Sequence, residues 1–423
     1  MCSGVFVSGR KEVDIERNDF SFPFNLVSYK INIGDSSVST SLLGFAKNKA
    51  IYRYGLGATL INGLSEKELR SQQIAIAAPK AINQDTIDWP MGNRLKNMIT
   101  TGFNKQLLDK TVEEAFYDAN TKATRGTRAL LVVYKGEIIA EKYADGFTAG
   151  TRQLGWSMTK GMMNALLGIL VKQGKINIAE QAPIAEWKND NRKAITIANM
   201  MHMNSGLKYS WFPAGPSDLT TMLFKEKNMG EYALHSPLIH TPGTVFNYSD
   251  GTANILSLMM RRMLGDKEYY RFIDEQLFYK IGMLSALIEP DAGGTLVGSS
   301  YCYATARDWA RFGLLYMNDG VFNGERILPQ GWVNFTVTPD SANNKDGRGL
   351  YGALWWVNAP YNKSNPANRK YPQVPADCFS CQGYDGQFVW VIPSKKLVVV
   401  RLGLDSGSYL DPGSFLGDLM KAF

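Results

Sequence analysis

Gly155-Trp156-Ser157-Met158-Thr159-Lys160-Gly161-Met162-Met163 sets a serine and a lysine three residues apart at the head of a strongly apolar helical stretch. Beyond Lys160 the apolar residues Met162, Met163, Leu166, Leu167, Ile169 and Leu170 lead to Gly174, a residue type suited to the position just past a helix end. Residues i and i+3 share a helix face, so the Lys160 ammonium is expected beside the Ser157 hydroxyl. A serine hydroxyl needs a base to accept its proton, and a lysine withdrawn from water is one such base. One reading makes Ser157 a nucleophile with Lys160 as its partner. The other makes Ser157 an N-cap and Lys160 a solvated first-turn lysine.

The spacing alone decides nothing, since Ser8/Lys11 and Ser205/Lys208 repeat it. Context separates the three. Only Ser157 opens a long apolar helix after a strand-rich region, the setting this pairing needs. Ser205-Gly206 instead ends the helical stretch Thr196 to Asn204.

Upstream, Ala129 to Tyr134, the turn Lys135-Gly136, and Glu137 to Tyr143 predict a β-hairpin. Asp88 to Asp118 reads as helical. Residues 1 to 87 form an appended segment without visible chemistry: strands at Leu42 to Phe45 and Ala50 to Tyr54 around a polar turn Lys47-Asn48-Lys49, then a short helix Glu66 to Arg70.

Downstream, residues 175 to about 290 are helices and loops, including Thr252 to Leu264 and Tyr269 to Tyr279, closed by Gly265 and Gly282. The loop Tyr209-Ser210-Trp211-Phe212-Pro213 is aromatic enough to line a pocket. After the helix Arg307 to Asn318 come strands at Leu350 to Val357, Gln387 to Ile392 and Leu397 to Leu402, then a helix Phe415 to Phe423. Gly347-Arg348-Gly349-Leu350-Tyr351-Gly352 matches G-x-G-x-x-G but leads into a strand, so the nucleotide-binding reading falls. Early and late strands around a helical middle predict an α+β fold, an α/β sandwich with one antiparallel sheet flanked by helices. The helical lobe is then an insertion in a domain spanning 88–423, with Ser157 at the junction where clefts form.

Composition narrows the function classes. With 423 residues, 45% hydrophobic and 12% aromatic, the chain is globular, and no apolar run reaches the ~18 residues of a membrane span. The net charge of +7 comes from 46 basic and 39 acidic residues that are interspersed, so no nucleic-acid partner is expected. Four cysteines (Cys2, Cys302, Cys378 and Cys381) are too few for a disulfide scaffold. Cys378 and Cys381 have redox or metal-ligand spacing without a second pair; a disulfide, one option being to Cys302, and buried free thiols both stay open. With only His202, His235 and His240, neither a metal site nor a Ser-His-Asp triad is expected, and no G-x-S-x-G elbow is present. Met1-Cys2-Ser3-Gly4 resembles a bacterial lipoprotein whose signal peptide has been replaced by a start methionine, with Cys2 as the lipid-bearing residue. A chance cysteine is the competing reading. The expected location is the periplasm or cell envelope, with the cytoplasm as alternative.

Two further stretches join the first. Tyr248-Ser249-Asp250 precedes a helix, and Tyr384-Asp385-Gly386 leads into a late strand. With Ser157-Met158-Thr159-Lys160 they make the chain, over about residues 90 to 423, resemble the penicillin-recognising serine hydrolases. That group holds class C β-lactamases, D-alanyl-D-alanine carboxypeptidases and the esterase and 6-aminohexanoate-dimer hydrolase branches. The three stretches match S-x-x-K, Y-x-N and K-T-G or H-x-G in order. The resemblance implies a β-lactamase/transpeptidase-like fold and no cofactor. It implies Ser157 as acylated nucleophile, Lys160 and Tyr248 as proton-transfer pair, and the backbone N–H groups of Ser157 and Gln387 as oxyanion hole. Asp250, Tyr384, Asp385, Gly386, Tyr209 and Trp211 are candidate substrate contacts. An alternative register reads Ser249-Asp250-Gly251 as S-D-N, with Ser249 as proton carrier. Asp250 stands where the pattern has an amide, and Tyr384 where it has Lys or His. A carboxylate in place of the amide and the loss of a cation disfavour β-lactams. They point to small esters or amides, or to a binding or sensor protein of the same fold without turnover.

Overall fold

A computed structural model describes residues 1–21, 23–78, 80–96, 99–342, 349–362, 364–405 and 409–423. The appended N-terminal segment forms a four-stranded antiparallel meander: β1 (Val27–Asn32), β2 (Ser37–Leu42), β3 (Phe45–Arg53) and β4 (Gly57–Leu60). The expected turn at Lys47-Asn48-Lys49 is instead the middle of β3. The chain reverses at Leu43-Gly44, both in the left-handed region (φ 51° and 80°), where Leu42 pairs with Phe45. Two positive φ values suit a two-residue hairpin. The polar run reads as a turn in sequence only because both faces of this strand end are exposed.

The central sheet has seven antiparallel strands. In chain order these are β5 (Thr127–Tyr134), β6 (Glu137–Tyr143), β7 (Leu350–Tyr351), β8 (Trp356–Val357), β9 (Phe379–Gly383), β10 (Gln387–Ile392) and β11 (Leu397–Gly403). In space they run β7-β8-β9-β10-β11-β5-β6. Strands far apart in sequence therefore meet: Val400 on β11 faces Leu131 on β5. The apolar runs need both faces covered. Leu131, Val133, Val389, Val391, Val398 and Val400 pack into one core with the helix α1 (Thr159–Lys172). Leu130, Val132, Trp390, Ile392 and Val399 join a second core with the helices Lys105–Glu114 and Pro412–Met420. The helical lobe contributes α2 (Asp250–Leu264), and α3 (Ala306–Met317) lies on the sheet, where a Cβ at Gly313 would come within 2.4 Å of Val398 Cγ1.

Several expectations shift in detail. Among the described residues of Asp88 to Asp118 only Lys105–Glu114 is helical, started by the Asn104 cap on the Leu107 N–H. Leu350 to Val357 is a tight hairpin of two short strands, because Leu350 pairs with Val357. Gln382 to Gln387 leads into β10, which begins at Gln387 as expected. The same stretch closes the hairpin between β9 and β10, and β9 itself starts at Phe379, within the Cys378–Cys381 stretch that cysteine spacing had claimed. Of the discarded glycine motif, Gly347 and Arg348 fall outside the described residues. All four cysteines are free and buried. Cys2 lies in a short helix against β3 and β4 with its thiol toward the Ala50 carbonyl. Among the described residues no helix is long and apolar enough to cross a membrane.

Candidate active site

Ser157 sits on a single 3-10 turn, Trp156–Met158, immediately before α1. Gly155 is tied by its N–H to the Cys302 carbonyl (2.9 Å), and Trp156 takes φ 47°, an uncommon value for an aromatic residue. Ser157 caps nothing, and Lys160 is 1% exposed, so the N-cap and solvated-lysine reading fails.

The three N–H groups of the Lys160 ammonium are all used. They donate to Ser157 Oγ (2.9 Å), Asp250 Oδ1 (2.6 Å) and the Ser299 carbonyl (3.0 Å). Burial alone would push this ammonium down, but the carboxylate of Asp250 and the phenol of Tyr248 outweigh it and hold its pKa above the ordinary lysine value. A tripod of acceptors satisfies the charged form completely. The resting Lys160 is therefore a cation, not a free base.

Tyr248 and Asp250 arrive together because the loop before α2 ends on them. The Ser249 hydroxyl accepts the Thr252 N–H (3.0 Å), which caps α2 and fixes Tyr248 on one side and Asp250 on the first helical turn. That bond places Ser249 as a cap. The phenol of Tyr248 interacts with Ser157 and Lys160, both of which favour its ionised form, and Lys160 Nζ lies 4.9 Å from its ring centre. Burial raises this phenol, and Lys160 pulls the other way. The ring is held by stacking on Trp356 (5.6 Å) and edge contacts with Tyr351 (5.8 Å) and Trp211 (6.3 Å). Asp250 is 2% exposed, and its second oxygen, Oδ2, has no hydrogen-bond partner among the described residues.

The third stretch forms the opposite wall. A Cβ at Gly383 would fall 2.1 Å from the Gly155 carbonyl, so the end of β9 lies directly on the backbone leading into Ser157. Asp385 (φ 59°) and Gly386 (φ 81°) make the turn, and Arg401 holds the Gly386 carbonyl (2.8 Å). The Gln387 side chain donates to the carbonyls of Tyr384, Asp385 and Gly403, and it accepts the Gly403 N–H. Its own backbone is thereby immobilised beside the site. Tyr384 is half exposed and meets Trp156 edge-on at 6.1 Å. Burial and Asp405 push the Asp385 carboxyl up, against Arg128 and Arg401.

Trp211 stands at the rim, and Tyr209 packs on Gly251 at the start of α2. His202 lies edge-on to Phe335 and His235 bonds the Glu231 carbonyl. Sequence reading missed Trp156 itself, Ser299, and the aromatic wall of Tyr301, Tyr351 and Trp356. Ser299 contributes only a carbonyl, which leaves no signature in residue type.

A family model described as Beta-lactamase matches residues 111–407. The 6-aminohexanoate-dimer hydrolase of Paenarthrobacter ureafaciens is 25% identical over 320 residues, covering 67% of this chain and 77% of that protein. A solved Bacillus anthracis structure with a provisional 6-aminohexanoate-dimer hydrolase description superposes with a TM-score of 0.58 at 22% identity, over 78% of this chain and 85% of that one. A family VIII carboxylesterase gives a TM-score of 0.55 at 16% identity, over 78% and 99% of the two chains.

Proposed function

The chain belongs to the beta-lactamase family, and from that premise we propose that it is a serine hydrolase cleaving a small ester or amide through an acyl-enzyme on Ser157. The observation that carries this reading is the buried contact of Lys160 Nζ with Ser157 Oγ at 2.9 Å, under the ring of Tyr248.

Ser157 Oγ attacks the carbonyl carbon. Its proton passes to the phenolate form of Tyr248, which the Lys160 cation stabilises, and Tyr248 then delivers that proton to the leaving alkoxide or amine. Water enters by the same route in reverse and releases the acid. The backbone N–H groups of Ser157 and Gln387 receive the oxyanion. The Asp250 carboxylate in place of an amide, and Tyr384 in place of a cation, disfavour substrates that carry a carboxylate beside the reacting carbonyl. β-Lactam turnover is weak or absent on this reading. The family's hydrolase relatives support an ester or linear-amide substrate.

Incubation with a fluorophosphonate or a p-nitrophenyl ester, followed by intact mass, gives one adduct on wild type and none on Ser157→Ala. A wild type with neither adduct nor turnover ends the proposal. The second reading, acylation without release, draws on the Lys160–Asp250 pair, which keeps Lys160 from acting as a free base. It gives a stoichiometric burst and no steady state.

A further inference from the structure

Behind Trp156 and Gln387 lies a cavity of about 510 Å³, a size that suits a small ligand. Part of its wall comes from the catalytic domain, including Gln153, Leu154 and Tyr301. Another part comes from the N-terminal segment, which precedes the stretch matched by the family model.

Several acidic groups on this wall are already committed. Asp19 pairs with Arg10 (2.6 Å) and with Arg128. Glu289 accepts the Ala58 N–H (2.7 Å), and Asp291 accepts the N–H groups of Met229 and Thr295 (2.9 Å each). A ligand meets the apolar surface, the side chains of Arg152, Glu226 and Asp385, and two buried donors, one from each part of the chain. Arg10 Nε and Gln153 Nε2 have no hydrogen-bond partner among the described residues, although the two residues are only 9% and 6% exposed. A buried donor left unpaired is costly, and a ligand acceptor repairs it.

We infer that this cavity binds one chain of the substrate: an apolar chain carrying a neutral acceptor oxygen, such as an amide carbonyl, held by Gln153 and Arg10. The N-terminal segment is then a specificity-determining wall of the active site. This rests on the proposed hydrolase only for the direction in which the chain is cut. The binding itself is independent of turnover.

The test uses N-butylhexanamide, titrated calorimetrically into the full-length protein. Gln153→Leu keeps the volume and removes the donor, and it weakens binding about tenfold, as expected for one buried hydrogen bond. Ser8→Phe, from the N-terminal wall, fills the cavity and abolishes binding. With p-nitrophenyl esters, both variants lower the ratio of kcat/KM for an N-acyl-6-aminohexanoate over that for acetate. Circular dichroism and melting confirm that each variant is folded. Absent binding, or binding indifferent to both substitutions, overturns the inference even if esters are hydrolysed. Binding with the expected variant pattern but no Ser157 adduct overturns the hydrolase reading and leaves the cavity standing.

Discussion

Lys160 Nζ and Asp250 Oδ1 lie 2.6 Å apart with side chains 1% and 2% exposed, a fully buried ion pair at the centre of the candidate site. Removing one partner of such a pair leaves a charge without compensation, at a cost of about 3–5 kcal/mol. Asp250→Asn keeps an acceptor for Lys160, so its loss should sit near the lower bound. Urea unfolding measures it, and an unchanged midpoint would show that the pair contributes nothing.

The same substitution alters the pH profile. Asp250 is one of the groups that raise both Lys160 and Tyr248. Without the carboxylate both pKa values fall, and the phenolate forms at lower pH. The rising alkaline limb of kcat/KM for a p-nitrophenyl ester should therefore move to lower pH in Asp250→Asn. A shift in the other direction contradicts Tyr248 as the proton acceptor.

Tyr248→Phe keeps the ring on Trp356 and removes the only group proposed to shuttle the proton. Loss of general acid–base catalysis costs roughly 100- to 10,000-fold. The drop should appear in kcat with KM little changed, and melting should be unaffected within a degree or two. A variant with full activity would hand the proton to another group.

Gly383→Ala tests the wall opposite Ser157. Its new Cβ would meet the Gly155 carbonyl at 2.1 Å, a distance no carbon tolerates, so β9 and the Ser157 turn must separate. Displacement near 1 Å costs about 100-fold in positioning-dependent catalysis. The rate of fluorophosphonate labelling, followed on folded protein, reads this directly; labelling at the wild-type rate would mean that the turn does not depend on β9.

Glu289 is wholly buried, and burial pushes its carboxyl up from 4.5 to about 8, against the Ala58 N–H and Ser3. Between those values the unfolded chain ionises and the folded one does not, so folding stability falls as pH rises from 4.5 toward 8. The change is about 4–5 kcal/mol at 1.36 kcal/mol per pH unit. Glu289→Gln keeps the acceptor for Ala58 and cannot ionise. Its stability measured by urea should stay flatter than wild type from pH 5 to pH 9, and parallel curves would refute the assignment.

The helix beginning near Ser157, the hairpin at 129–143 and the late strands at 387 and 397 were all legible because their apolar spacing is local. The sequence misled where polarity and exposure part company. Lys47-Asn48-Lys49 is polar because that strand faces solvent on both sides, and the cysteine spacing at 378 and 381 masks a strand that starts at Phe379 and carries Cys381. The resemblance to the family, likewise, was legible in three short motifs in the right order.

Sequence by itself determined which residue types meet: a serine and lysine on one helix face, a tyrosine and an aspartate ahead of another helix, and a glycine-bearing turn on a strand. Those are consequences of i to i+3 geometry and of capping, which act within a few residues. Only the tertiary structure decided what state they are in. Lys160 is a cation because Asp250 and the Ser299 carbonyl, 90 and 139 residues away, complete its shell in a site that excludes water. Charge in a buried cluster depends on every acceptor within reach, and that sum is set by packing.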